Sequence, residues 1–192
     1  DGQIYLTQLC SLLFNSPLQW VVMLAPLGMV FWLSARIQAM SAGKARNMFY
    51  IYGAMMGIAL SSILIAYTGA SVARAFFITA GAFAGLSLYG YTTKRSLSAM
   101  GSFMVIGLFG LILASIVNIF MASTQLEFII SITGVLIFAG LTAWDTQRIK
   151  SMYMAGDDVD VAAKKSIFGA LTLYLDFINM FLFILRLFGN RE

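Results

Sequence analysis

The chain has no histidine, one cysteine (Cys10) and two prolines, and only 10% of its 192 residues are charged, against about 25% in a soluble domain. With no imidazole and a single thiol, ordinary zinc, haem and copper centres lack ligands, and an internal disulfide is impossible. Only oxygen donors remain, which suit hard cations such as calcium or magnesium. No resident cofactor is expected.

What is present is hydrophobic: 60% of the residues, in long neutral runs separated by short charged clusters. That pattern predicts several membrane spans joined by short loops. The expected fold is all-α, a polytopic helical bundle forming one transmembrane domain over residues 1–192, with no room for a soluble domain. The net charge of +4 is explained by orientation signals, since Lys and Arg are spread over the loops; no nucleic-acid partner is expected. The chain starts at Asp1, and Asp1 to Pro17 lacks the basic start and the cleavage site of a signal peptide, so an upstream piece is expected.

Six spans are predicted. The first runs from about Leu18 to Ala35, with a kink at Pro26. The second lies within Asn47 to Ala73, where Thr68 to Ser71 reads as a turn. The third is Ala75 to Thr93, and the fourth lies within Ser96 to Leu126, ending in a loop around MASTQ. The fifth is Phe128 to Trp144, continuing as an amphipathic helix through DTQRIKSMY, and the sixth is Ser166 to Leu187. Loops after spans one, three and five hold Arg36, Lys44 and Arg46; Lys94 and Arg95; and Arg148, Lys150, Lys164 and Lys165. The alternate loops hold only Arg74, so the first set is expected to be cytoplasmic. Six full crossings then leave Arg186 and Arg191 outside, against the rule, unless the last segment crosses incompletely.

Small residues recur every four positions at Gly53, Gly57 and Ser61, and at Gly81 and Gly85; plain helix packing is the expectation. Asn118, an amide in the fourth span, is expected to make an interhelical hydrogen bond, with pore lining as the alternative.

The exceptional residue is Asp176, at the centre of the last span. A carboxylate there costs ~2.5 to 3.5 kcal/mol on insertion scales, so its retention needs a reason. Gly169, Thr172, Asp176 and Asn179 are spaced three, four and three apart and form the only polar face of that helix. Span five presents Ser131, Gly134, Thr142 and Asp145 on a similar stripe. Antiparallel neighbours would bring Asp145, ~10 Å inside the helix end, and Asp176, ~15 Å past Ser166, to comparable depth. Two carboxylates in one low-dielectric site do not both ionise cheaply; they retain one proton and release the other. The consequence is a pH sensor without histidine. Arg36 is the best placed guanidinium to favour the ionised form, in competition with Arg148, expected as a solvated loop charge, and Arg186, expected near the opposite membrane face. Alternatively Asp145 caps the end of span five and pairs with Arg148 or Lys150.

Three segments, LYGYTTKR (Leu88 to Arg95), GLTAWDTQRIK (Gly140 to Lys150) and GALTLYLDFINMFLFILRLFGNR (Gly169 to Arg191), resemble the Bax inhibitor-1 (transmembrane BAX inhibitor motif) family in its bacterial inner-membrane branch. The similarity runs from about Trp20 to the C-terminus. It implies seven helices, six of them around a central last one, so that the first would be absent from this sequence. It also implies a pH-dependent calcium leak through a pore closed by the last helix. In it the aspartates of WDTQRI and LYLDF, here Asp145 and Asp176, titrate together, and an arginine at the end of the second helix, here Arg36 by position, latches to one of them.

The function expected on this basis is a pH-regulated calcium leak channel, not an enzyme. Calcium is the permeant ion, Asp145 and Asp176 the sensor, Arg36 the latch, and Thr172, Asn179 and Asn118 the candidate pore lining. It would sit as a monomer in the bacterial inner membrane. The alternative is a regulatory protein that binds membrane partners such as a protease or cell-death machinery. Asp157, Asp158 and Asp160, in the connection from Ser151 to Lys165, read as a solvated loop, with a weak calcium-attracting vestibule as the alternative. An intramembrane aspartyl protease is disfavoured: such enzymes carry GxGD, whereas Leu173, Tyr174 and Leu175 precede Asp176, and a C-terminal Pro-Ala-Leu, whereas the only prolines are Pro17 and Pro26.

Overall fold

The computed structural model of the chain describes residues 18–154 and 156–190. Cys10, Pro17 and Arg191, on which the thiol inventory, the flank of the first span and the charge of the tail were argued, lie outside the described residues.

Six helices among the described residues are long and apolar enough to cross a membrane: α1 Leu18–Arg36, α2 Ala42–Ile65, α3 Gly69–Thr92, α4 Ser98–Met121, α5 Thr124–Met152 and α6 Val159–Phe188. The chain is a polytopic all-α membrane protein. Its helices divide into two compact units, residues 1–66 and 67–192.

In the first unit α1 continues through Pro26, and a 3-10 turn, Ile37–Ala39, leads to α2, which packs back on α1. Pro26, Val30, Leu33 and Ile37 are buried, at spacings of four, three and four that define one face. The second unit holds α3 to α6. There α5 packs against α3, α4 and α6, and α6 packs against α3 and α5. The broad exposed surfaces of α3 and α4, with Phe77, Phe103, Ile119 and Phe120 outward, are what a bilayer rather than water tolerates.

The helices are longer than the hydrophobic spans predicted, and the loops shorter. Lys44 and Arg46 lie in the first turns of α2, Arg74 in the second turn of α3, and Lys164 and Lys165 in the first turns of α6. The physical reason is length: 24 residues make ~36 Å of helix against a hydrocarbon core of ~30 Å, so charged ends project into the headgroups without leaving the helix. The Thr68 to Ser71 stretch is accordingly a helix start rather than a separate turn. Thr68 is the N-cap of α3, its Oγ1 accepting from Ser71 N at 3.2 Å. The MASTQ loop shrinks to Ala122, in the left-handed region at φ 47°, and Ser123, whose Oγ caps α5 by accepting from Leu126 N.

The last segment crosses the second unit completely. The α6 start lies with the α3–α4 connection at one end, where Lys150 Nζ donates to Tyr91 O. Its tail is fixed at the other end: Asn190 N donates to Ser71 Oγ at 3.0 Å and Asn190 O accepts from Thr68 N at 3.1 Å.

Close packing in this unit uses glycines outside the predicted four-residue stripes. Around Gly53, Gly57, Gly81 and Gly85 an added Cβ would meet open space within their own units. By contrast, a Cβ on Gly90 would run into the Ala143 carbonyl, and one on Gly101 into the Trp144 ring. The close α3–α5 and α4–α5 approaches are set there. Gly90→Ala is therefore expected to destabilise the protein by about 1–3 kcal/mol through overpacking, whereas Gly81→Ala stays within about 0.5 kcal/mol. Thermal unfolding of the two purified variants checks this.

Candidate functional site

The α5–α6 pair is an antiparallel hairpin, and its contacts share one register. Gly169 on α6 opposes Ile149 on α5, leaving no room for a Cβ. At the far end Gly134 makes space for the Phe183 ring, which stacks on Phe138 at 6.0 Å. The position opposite Asp145 in this register is 172 to 173, about one helical turn from Asp176, and the two buried carboxyl groups are near enough to interact. Asp145 is 6% and Asp176 4% exposed, so the pair is closed to bulk water.

Neighbouring side chains fix the rotation of α6. Phe177, next to Asp176, sits edge-on between Phe76 and Phe83 of α3, at 5.8 and 5.4 Å. With Phe177 held towards α3, a rotation of 100° per residue turns Asp176 towards α5.

The other polar residues of these stripes are satisfied on their own helices. Thr142 Oγ1 donates to Phe138 O at 2.7 Å, Ser131 Oγ to Glu127 O at 2.8 Å, Thr172 Oγ1 to Phe168 O at 3.0 Å, and Asn179 Nδ2 to Leu175 O at 2.8 Å. A carboxylate has no hydrogen to give a backbone carbonyl. The two aspartates are therefore the groups of the seam whose needs the helices themselves do not meet, and Asp176 Oδ2 is buried with no hydrogen-bond partner among the described residues. A buried carboxyl pair so placed has the chemistry to hold a single proton between two oxygens.

Arg148 lies within α5, not in a loop, with Nη1 3.9 Å from Asp145 Oδ1. Its side chain is half exposed and rests over the Trp144 ring at 5.4 Å, so the ion pair is loose and worth little by itself. Asp145 thus lies inside α5 rather than capping its end, and it pairs loosely with Arg148 in the seam that also carries Asp176. Arg36 is the last residue of α1, in the first unit, while both carboxyls belong to the second. Arg186 is in the last turn of α6, over the Phe183 ring at 5.6 Å, at the end of the hairpin away from the aspartates' loop. Thr172 and Asn179 are half-buried on the α6 face that carries Asp176. The Asn118 side chain bonds locally, Oδ1 accepting from Ser123 N at 3.1 Å across the turn that ends α4.

Gln147 was missed by sequence reasoning. Its Oε1 accepts from Leu97 N at 2.8 Å and its Nε2 donates to Arg95 O at 2.9 Å. This pair of bonds clamps the α3–α4 connection to α5, two residues from Asp145. Only the folded distance between segments fifty residues apart reveals it. Glu127, unnoticed at the end of a neutral run, lies in the first turn of α5, where a negative charge suits the helix dipole.

The connection between the two aspartate helices is shorter than predicted. Asp160 starts α6 and pairs with Lys164 at 3.0 Å, and Asp157 pairs with Lys165 at 2.7 Å while accepting from Met154 N. Tyr153 OH and Ser166 Oγ bond beside them. The extra α6 turns before Ser166 thus overhang the end of α5, which is why Asp176, ~26 Å from the helix start, still comes within about one turn of the depth of Asp145. No group of three or more acidic, histidine or cysteine ligands occurs among the described residues.

The sequence profile described as "Inhibitor of apoptosis-promoting Bax1" matches residues 2–192. The chain belongs to the Bax inhibitor-1 family. It is 51% identical over 173 residues to the inner membrane protein YbhL of Escherichia coli K12, covering 89% of this chain and 74% of YbhL. It is 46% identical over 181 residues to protein RP147 of Rickettsia prowazekii, covering 94% and 77%. To YrjE of Lactococcus lactis it is 46% identical over 187 residues, covering 96% and 79%. With six membrane-crossing helices and YbhL as an inner membrane relative, this Bax inhibitor-1 protein is an integral protein of the bacterial inner membrane.

The Lys165 ammonium, then the Met154 N–H, hold the Asp157 carboxyl below its ordinary range. A depressed folded value contributes stability that is present above the unfolded value of 3.8 and lost as pH falls through the folded one. Hydrogen exchange of the Met154 and Asp157 amides should therefore stay slow at neutral pH and rise only below the ordinary carboxylate range. Asp157→Asn should raise it at all pH values.

Proposed function

We propose that this Bax inhibitor-1 family protein is a pH-regulated calcium leak channel whose sensor is the Asp145–Asp176 pair. The observation that carries this reading is the approach of two buried carboxyls in the α5–α6 seam, where Thr142, Thr172 and Asn179 bond to carbonyls of their own helices.

With one proton shared, the pair ties α5 to α6. Loss of that proton leaves two negative charges in one apolar seam. Their repulsion works against the helix contact, and their field attracts a divalent cation. Calcium is the substrate of this step, and its ligands would be carboxylate, carbonyl and hydroxyl oxygens. Thr172 and Asn179, one turn either side of Asp176, would then exchange their own-helix bonds for contacts along the path, and Asn118 would line its far end. Two guanidiniums compete for the ionised pair: Arg148 on α5, and Arg36 as the latch drawn from the first unit. A proton-operated path of this kind needs neither enzymatic chemistry nor a resident cofactor, and one chain supplies both carboxyls.

Calcium flux into proteoliposomes, measured across pH, tests the proposal. The wild-type protein should show a pH-dependent leak, and Asp145→Asn and Asp176→Asn should each make it independent of pH. An Asp176→Asn protein with an unchanged profile would refute the sensor. If Arg36 is the latch, Arg36→Gln moves the midpoint of the profile; if only Arg148 acts, Arg148→Gln moves it and Arg36→Gln does not.

A further inference from the structure

Where the α3–α4 connection meets α5, a cavity of about 550 Å³ has a cationic lining: Lys94 and Arg95 from the connection and Arg148 from α5, with no acidic residue in its wall. Ser96 and Ser151 add hydroxyls. Lys94 and Arg95 are exposed, and neither is in an ion pair among the described residues. Arg148 is held only loosely, 3.9 Å from Asp145 and over the Trp144 ring, so its five N–H donors leave some for a further acceptor. The wall is also braced from within. Gln147, which lines the cavity, binds Leu97 N and Arg95 O and fixes the connection on α5. The start of α4 adds to the same positive field, because its N-cap, Leu97, supplies no side-chain cap.

Further along the same α4–α5 seam lies an apolar groove of about 470 Å³, lined by Met104, Gly107, Gly110 and Ala114 of α4 and Thr133 and Ile137 of α5. Trp144, packed on Gly101, stands between cavity and groove and also lines the cavity. Six residues of α4, ~9 Å, separate Ser98 in the cavity wall from Met104 in the groove. From Met104 to Ala114 the groove runs ten residues, ~15 Å, which is the depth of one leaflet. Gly110 is exposed and a Cβ there would meet nothing, so the groove is open to the bilayer.

We infer that cavity and groove together form a site for an anionic phospholipid, one whose phosphodiester has no cation beside it, as in phosphatidylglycerol. The phosphate sits among Lys94, Arg95 and Arg148, where the guanidiniums offer paired N–H donors and the lysine a point charge. Basic pockets between membrane helices suit such headgroups. An acyl chain lies in the groove, and Trp144 marks the headgroup level between them, as interfacial aromatics do. A zwitterionic headgroup would bring its ammonium to a wall that has three cations and no carboxylate. The inference is independent of calcium passage, and its readout is lipid retention.

The full chain is reconstituted in nanodiscs of equal phosphatidylglycerol and phosphatidylethanolamine, released, and weighed by native mass spectrometry. One phosphatidylglycerol should stay bound in preference to phosphatidylethanolamine. Lys94→Gln and Arg95→Gln should each lower that preference about fivefold, the worth of one basic residue beside an anionic lipid. The double variant Lys44→Gln, Arg46→Gln, which removes as much charge from the first turns of α2, should leave it unchanged. Gly110→Leu, which fills the groove from its open side, should lose the lipid at unchanged thermal stability. Inorganic phosphate in large excess should fail to displace it. Equal retention of the two lipids by the wild-type protein, an equal loss in the α2 double variant, displacement by inorganic phosphate, or full retention by Gly110→Leu would overturn the inference.

Discussion

Two buried carboxyl groups brought together in one helix seam constrain the rest of the second unit, because neither is easily tolerated there alone. Each costs ~2.5 to 3.5 kcal/mol at the centre of a membrane helix, and a hydrogen bond involving a charged group returns ~1.5 to 3 kcal/mol. The bond can offset about one such cost, not two. On the proposed reading the pair is charged at most once, and the helices around it hold the two groups in reach. Gly169 and Gly134 let α6 lie close on α5, and Phe177, seated between Phe76 and Phe83, sets its rotation.

The two ends of the α5–α6 hairpin are chemically unlike. At the aspartate end, Gln147 and Lys150 bind the α3–α4 connection, and Asp157 and Asp160 are each met by a lysine of α6. That end is stiffened by hydrogen bonds and ion pairs from three elements. At the other end Asn190 bonds Thr68 and Ser71, and Gly189 lies against the Tyr67 ring.

Much of this was legible in the sequence for a specific reason. A membrane helix announces itself by length and apolarity, so all six were visible, and an aspartate among apolar residues has no other place to hide. The spacing of Thr172, Asp176 and Asn179 fixed a face, and the antiparallel hairpin followed from a short connection, so the meeting of Asp145 with Asp176 could be anticipated. The helix ends were not legible, because hydrophobicity marks the membrane rather than the helix. Lys44, Arg74 and Lys164 were counted as loop charges although their backbones are helical. The packing glycines were misplaced for a related reason: four-residue spacing at Gly53, Gly57, Gly81 and Gly85 says that a close approach is possible, whereas the partner that uses it, such as Ala143 opposite Gly90, is known only from the fold. The Gln147 clamp depends on segments remote in sequence and carried no local signal.

The shared proton is the central claim, and infrared difference spectroscopy of the carboxyl stretch, recorded on the protein in lipid through a pH titration, tests it most directly. The account predicts one protonated-carboxyl band belonging to the pair, removed by Asp145→Asn and equally by Asp176→Asn, because the proton belongs to neither residue alone. Two bands that titrate independently, one of them surviving in each variant, would contradict it.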